Sequence, residues 1–566
     1  MRTDADAGPW ETHGGTWTTV PVGKADMGAN PFSYKCDVPE GPSAALAGSD
    51  WWDEYQVSVA VRPGAGSKTA AVGLGWYAAN ERTMYMLRAA VRIDAKPRPD
   101  GFQLLRLDDG KVTVLAECAG GLASGQWCRL RVKASGPWIG AEVDGHRLMT
   151  TRDATYTHGR IALLVDQTSA RFDDVLVESS LLPDPVGTRL AGQAPGSAGL
   201  IDVDSWAAPA MAWEPDPAAD GVFWRRHTLY GDADLDFVWP SLPDGAEAEL
   251  AVDADGRALD SGALLSLKRV GAQGQLALRL PGQPEQSAKV PLDGPLRLSL
   301  RRRLDGAKVR YDAVVGDRTV ASLSRPATAS GGRMAFATHG FQPRISAFSL
   351  WSANLVDQAF DSAPCDWWVG SGQWDLTNRW SCVPEWSWFG GYGQGEAAVW
   401  YKRPLLGDQE VHFYAGSKML DDKTPGYRGP AVERTGDFNV TLCGDGRSAD
   451  SGCAFVVGPA ARDDRRDRHG RISGTGAQLK RAGQVVAHND DFGFFACAHN
   501  RWADIRAEKH GAELTLLVDG QVVLRWTDLQ PLPGGYTALW TYDNGMLIPR
   551  VSLSAQRYGD ELLSLR

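Results

Sequence analysis

The stretch WSCVPEWSWFGGYGQGEAAVWYK, residues 380 to 402, gathers Trp386, Trp388, Tyr392 and Trp400 around Gly390, Gly391, Gly393 and Gly395. Flat rings beside backbone that glycine lets come close suit a ligand with apolar C–H faces and a polar rim, which is the surface of a sugar. WTYDNG, residues 540 to 545, adds Trp540, Tyr542, Asp543 and Asn544. The ligand-binding set predicted here is therefore Trp386, Trp388, Tyr392, Trp540, Tyr542 and Asn544. A second aromatic group, near DWWDEY and GWYAANERTMYMLRAA, brings Trp52, Trp76 and Arg82. Alternation in that strand puts Tyr85 on the opposite face from Met84 and Arg88.

If the rings hold a saccharide, two kinds of chemistry could act on it. Hydrolysis needs two carboxylates about 5 to 10 Å apart, and Glu385, Glu396, Asp437 and Asp543 are the acids nearest the rings in sequence. A lyase needs a base such as Tyr, His or Lys, for which Tyr427, Arg428 and His499 are the candidates. Proximity alone nominates them. No ExDxE or ExDxxE strand supports a family-16 glycoside hydrolase, and no GxSxG supports a serine nucleophile.

Metal and cofactor signals are thin. His488 and His499 lack the close pairing that fixes a tetrahedral site. VDADGRALD, with Asp253, Asp255 and Gly256, looks like the start of a calcium loop, but Leu264 stands where the twelfth-position Glu belongs. A plain DG turn is expected; no cofactor is, although a structural calcium ion is compatible with the acidic turns.

The elements that must position these residues are strands. Short alternating runs separated by Gly, Asp and Pro turns dominate, with no amphipathic helix of three turns or more. Three segments repeat one layout of strand, DG or GD turn, strand, polar link, Gly-led strand and closing strand. They are GQWCRLRVKASGPWIGAEVDG with its continuation to LVES, GPLRLSLRRRLDGAKVRYDAVV with its continuation to SLWS, and NRWADIRAEKHGAELTLLVDG with its continuation to LSAQ. Repetition at this scale implies one module used three times, with boundaries at 1–182, 183–352 and 353–566. The middle module holds no cysteine and reads as a structural spacer, whereas 353–566 carries the principal candidate site. About a dozen strands per module is too many for an immunoglobulin sandwich and fits a two-sheet jelly roll. The fold class is all-β, three tandem jelly-roll sandwiches.

GRIALLVDQTSARFDDVLVES resembles the last two strands of laminin-G-like, concanavalin A-like jelly rolls, including those of 3-keto-disaccharide hydrolase domains, through Phe172, Asp173 and Asp174. PRISAFSL and PRVSLSAQ keep the alternation without the aspartates. WSWFGG, GDQEVHFY and DFNVTLCGDG are similar to uncharacterised bacterial secreted modules of the same kind. The resemblance implies a poly- or oligosaccharide ligand; a fold alone supplies no chemistry.

At 566 residues, with 22 tryptophans and a formal charge of -10, the chain is a multi-domain globular protein whose acidity argues against nucleic acid or an anionic membrane as partner. No apolar run of 18 residues spans a bilayer. Cys118 with Cys128, Cys365 with Cys382 and Cys443 with Cys453 flank predicted turns at spacings that hairpin-closing disulfides could use, leaving Cys36 and Cys497. That pattern points to a secreted or periplasmic protein, from whose sequence a signal peptide is missing. The functional expectation is a multi-module carbohydrate-binding protein. A carbohydrate-active enzyme and a cell-surface assembly protein stand as alternatives, with the oligomeric state unspecified.

Overall fold

The computed structural model describes the chain outside residues 1–9, 22–31, 38–40, 93–95, 181–187, 192–212, 293, 328–330, 344–346, 361, 378–387, 394, 419–436, 459–475, 493–501 and 543–544, with the backbone alone described for Pro21, residues 188–191 and Thr377. It is all-β, and among the described residues its strands fall into three sets, within 11–179, 188–352 and 355–558, that pair only internally. No helix among these residues is long and apolar enough to cross a membrane.

Each set builds two facing sheets, antiparallel apart from a short parallel pairing of Leu122–Ala123 with the end of Thr83–Arg92, and the strand order recurs. In the C-terminal set one sheet runs Trp367–Val369, Glu396–Tyr401, Gly534–Tyr542, Asn439–Gly444, Cys453–Val457, Ala477–Arg481, Gln484–Asn489. In the middle set the corresponding order is Trp213–Pro215, Val222–Arg225, Arg333–His339, Glu247–Ala254, Ala263–Val270, Gln273–Arg279, Gln286–Pro291. In the N-terminal set it is Glu11–His13, Ser43–Ala47, Arg160–Ser179, Tyr55–Asn80, Thr83–Arg92, Arg98–Asp108, Lys111–Gly120. There the strands Tyr55–Asn80 and Arg160–Ser179, of 26 and 20 residues, continue from one sheet into the other, so that Val57, Val59 and Val61 pair in the second sheet while Val72 and Leu74 pair in the first.

Period-two alternation explains the layers. Val72, Leu74, Trp76, Tyr85 and Leu87 enter the N-terminal core, while Met84 turns to the opposite face, as the alternation predicts. Val399, Tyr401, Val440, Phe455 and Leu539 do the same in the C-terminal sandwich. Burying such cores at about 25 cal/mol per Å² is what holds each sandwich together.

The C-terminal sandwich docks both others through buried polar contacts. Lys402 pairs with Asp144 at 2.8 Å, and Arg92 donates to the carbonyls of Ser564 and Arg566 at 2.9 and 2.6 Å. On the other side, Arg225 and Arg550 share Asp357, and Arg226 reaches Tyr414 and Asp504, both at 2.7 Å.

The expected hairpin disulfides are not formed. Cys118 lies across from Phe102 and Cys128 across from Val61, on strands of different sheets. Cys365 packs among Ala60, Trp127 and Ala363, while its expected partner Cys382 lies outside the described residues. Cys443 and Cys453 are free thiols, the first accepting from Gln409 Nε2 at 3.3 Å; burial pushes them up to about 12 and about 11. Burial protects thiols that spacing alone would have paired.

Candidate functional site

The sheet face turned away from the core differs between sandwiches. In the C-terminal one it carries Ala398, Trp400, Ala454, Val456, Ala538 and Trp540, which form a small apolar cluster of their own. The loop DGRSADSG covers it: Asp445 accepts from the backbone N–H groups of Arg447 and Ser448 at 2.8 and 3.0 Å, and Ala449 thereby joins the cluster. The middle sandwich has the same loop in DGRALDSG, where Asp255 accepts from Arg257 and Ala258 N–H at 2.8 and 3.0 Å and Leu259 packs over Trp224 and its neighbours. The acidic turn thus closes on its own backbone, an Asx turn, with Ser261 Oγ also donating to Asp255 at 3.0 Å.

This packing corrects several expectations about the rings. Trp540 is 4% exposed, and its Nε1 donates to Thr441 Oγ1 at 3.0 Å. Trp388 is 3% exposed and meets Trp502 edge-on at 5.2 Å. Trp76 is fully buried, stacked on Tyr85 at 5.4 Å. None of the three offers a face for a sugar, because each ring contributes more as buried apolar area than as an exposed platform. Trp52 is half-buried against Gly48 and edge-on to Tyr55 at 6.2 Å. Tyr392 donates to Gln373 Oε1 at 2.5 Å under Lys418 Nζ, 4.8 Å from its ring centroid. Tyr542 is 51% exposed.

The acids separate likewise. Asp437, 2% exposed, accepts from Thr541 Oγ1 at 2.7 Å, from Tyr542 N–H at 3.0 Å and from Asn439, and burial still lifts it to about 6. Enclosed and fully bonded, it ties strands together and has no approach for a substrate. Glu396, paired across from Tyr542, accepts from Ser371 Oγ at 3.2 Å, with burial raising its pKa. Glu385, Trp386, Tyr427, Arg428, His499, Asp543 and Asn544 lie outside the described residues.

The N-terminal sandwich leaves the corresponding face open. The connection there is the tight turn Asn80–Thr83, where Asn80 Oδ1 accepts from Arg82 N–H at 2.9 Å, and among the described residues no flap reaches over the sheet. The result is a groove of about 790 Å³ with Ala44, Met86, Leu105 and Leu164 in its floor, Arg88, Gln103 and Asp166 among them, and Arg82 near one end. Glycine shapes the floor: a Cβ at Gly75 would lie 2.7 Å from Met84 Sδ and 2.9 Å from Ala162 Cβ, so the flexible thioethers lie across bare backbone.

The groove's polar groups are incompletely used. Arg88 donates at 3.4 Å to Gln103 Oε1 and at 3.3 Å to the Thr69 carbonyl. Asp166 Oδ1 is buried without a hydrogen-bond partner. Burial lowers Arg88, opposed first by the charge of Asp100 and then by that of Asp166, and burial raises Asp166, opposed by the charge of Arg88. Gln103 Nε2 donates to Glu117 at 3.1 Å, and Arg82, singled out from the sequence, pairs with Asp109 at 2.9 Å. A buried acceptor and a half-buried guanidinium on an apolar floor can grip hydroxyl pairs of a ring-shaped polyol. Sequence reasoning passed over Asp166; the available signal was a lone acid interrupting the alternation of IALLVDQ opposite AVGLGW.

No family model matches the chain. None of the curated proteins searched matches it in sequence. Among solved structures, a carbohydrate binding module from Bacillus subtilis, CBM66, is similar at 20% identity over 30% of this chain and 95% of that one, with a TM-score of 0.25. The exoplasmic/lumenal domain of VIP36 in its metal-free form gives 14% identity, 35% and 87% coverage and a TM-score of 0.24. Galectin LEC-6 of Caenorhabditis elegans gives 14%, 25% and 96%, with a TM-score of 0.19.

Proposed function

We propose that the chain is a carbohydrate-binding protein whose ligand lies in the groove of the N-terminal sandwich, and that its three sandwiches are diverged copies of one unit of which this copy keeps an open face. The observation that carries the reading is the presence in one apolar-floored groove of an unsatisfied buried acceptor, Asp166 Oδ1, and the Arg88 donors. An oligosaccharide would donate hydroxyls to Asp166, accept from Arg88 and lay C–H groups on Met86 and Leu164. Acting on an external poly- or oligosaccharide, such a protein would work in a secreted or periplasmic setting.

The test is calorimetric titration of an oligosaccharide panel into the full chain and into Leu164→Trp, which places at that position the ring that Trp540 supplies in the C-terminal sandwich. Binding to the parent that disappears in Leu164→Trp supports the groove. Equal binding by both proteins removes it.

A further inference from the structure

Of the two arginines on the strand Thr83–Arg92, Arg92 is taken up by the Ser564 and Arg566 carbonyls, whereas Arg88 lines the groove. Arg82 pairs with Asp109 at 2.9 Å, Arg98 with Asp100 at 3.0 Å and Arg106 with Asp153 at 2.7 Å. Arg88 has no carboxylate within ion-pair distance among the described residues; its hydrogen bonds are to one amide oxygen and one backbone carbonyl, both long. Asp166 shares the groove, yet no ion pair joins the two. Two opposite charges thus share a partly desolvated floor, each held back from the other. Asp100 and Asp166 act on Arg88 only across space, and leaving a half-buried guanidinium without a directly bonded anion costs free energy that a bound anion would recover.

Resting on the groove assignment above, we infer that the ligand is an acidic saccharide whose carboxylate pairs with Arg88 while a neighbouring hydroxyl donates to Asp166. The planar fork of arginine matches a carboxylate in two parallel hydrogen bonds. A lone guanidinium suits one carboxylate better than the sulfate esters of a highly charged glycan, since Arg82 and Arg98 nearby are already neutralised by Asp109 and Asp100. Asp166 selects for a donor beside that carboxylate and rejects a second anion, which sets a uronic acid residue apart from a polyanionic cluster.

The discriminating experiment titrates short uronic acid oligomers, their carboxyl-reduced neutral counterparts and a sulfated oligosaccharide into the full chain, Arg88→Met, Arg88→Lys and Asp166→Asn, with thermal melts confirming that each variant is folded. The uronate is expected to bind at least about tenfold more tightly than its reduced form, the size of a charge-assisted hydrogen-bond pair. Arg88→Met should erase that preference while leaving weak binding of the neutral oligomer, and Arg88→Lys should restore it in part. Equal affinity for uronate and reduced oligomer, or preference for the sulfated one, overturns the carboxylate assignment while leaving the groove in place. Absence of binding by every saccharide, with Leu164→Trp indistinguishable from the parent, defeats the groove assignment itself and this inference with it.

Discussion

The outward faces of the N- and C-terminal sandwiches are built on the same lattice and put to opposite uses. Leu164 stands between Ala44 and Gly73 as Trp540 stands between Ala398 and Asn439. Two residues along, Ala162 lies between Leu46 and Gly75 as Ala538 lies between Trp400 and Thr441. The strand beyond brings Arg88 opposite Gly73, on the side where the C-terminal sandwich has Val456. Where an indole, a threonine acceptor for its N–H and the eight-residue flap 445–452 coincide, the face becomes a minor core. Where the same places hold leucine, glycine and a tight turn, it becomes a groove with charges in its floor. Whether a sheet face is core or site thus turns on a few side chains and one connection, while the backbone pattern stays constant.

The comparison is broken most forcefully at Trp540. Trp540→Ala should destabilise the C-terminal sandwich by about 3 to 5 kcal/mol, the usual cost of deleting a buried indole, read as a shift in the urea midpoint. It should leave the affinity of the N-terminal groove unchanged, because that face has its own floor. A loss of saccharide binding with little loss of stability would show that the indole is a contact surface after all.

Asp437 gives a somewhat smaller effect with a definite sign. Its folded pKa of about 6 stands above an unfolded aspartate's ordinary value of about 3.9. Between those values the folded protein holds a proton that the unfolded chain has released. Stability should therefore fall as pH rises from about 4 to about 6, by roughly 3 kcal/mol at most, and stay level above. Unfolding free energies measured across that window test it, with the corresponding contribution removed in Asp437→Asn. No difference in pH dependence between parent and variant would mean that the carboxyl ionises freely, as an exposed acid would.

The two-sheet architecture was legible because it rests on alternation and on turn residues, which are local. VDG and LDG turns between alternating strands announced the hairpins, and GRIALLVDQ announced a strand buried on one face. What alternation cannot show is which outward face gets covered. Trp388 and Trp540 look the same in sequence as platform rings would, since a buried indole and an exposed one obey the same period. Their burial depends on Trp502 and Thr441, residues brought near by pairing between distant strands. The groove was missed for the converse reason: Met86, Leu105 and Leu164 are unremarkable singly and form a floor only once strands far apart in the chain lie side by side. Cysteine spacing misled for Cys118 and Cys128 because sequence distance across a turn does not fix which sheet each thiol joins.

The smallest effect bears on the flaps. Asp255 and Asp445 each hold their loop by accepting two backbone N–H groups, whereas Asn80, at the connection of the open face, accepts one. Replacing either aspartate with alanine should cost about 1 kcal/mol, and the double variant about the sum, because the loops sit on different sandwiches and share no partner. Asn80→Ala should cost less, about 0.5 kcal/mol, since fewer backbone donors are left wanting. If Asp445→Ala also exposed the Trp540 face, the freed indoles would show as red-shifted tryptophan emission larger than that of Asp255→Ala, whose covered cluster holds one indole, Trp224, against Trp400 and Trp540. A parallel red shift in both would mean the two flaps are interchangeable covers. An effect in neither would place the cover in the side chains of the face itself, and the difference between the two sandwiches would then reside in Leu164 and Trp540 alone.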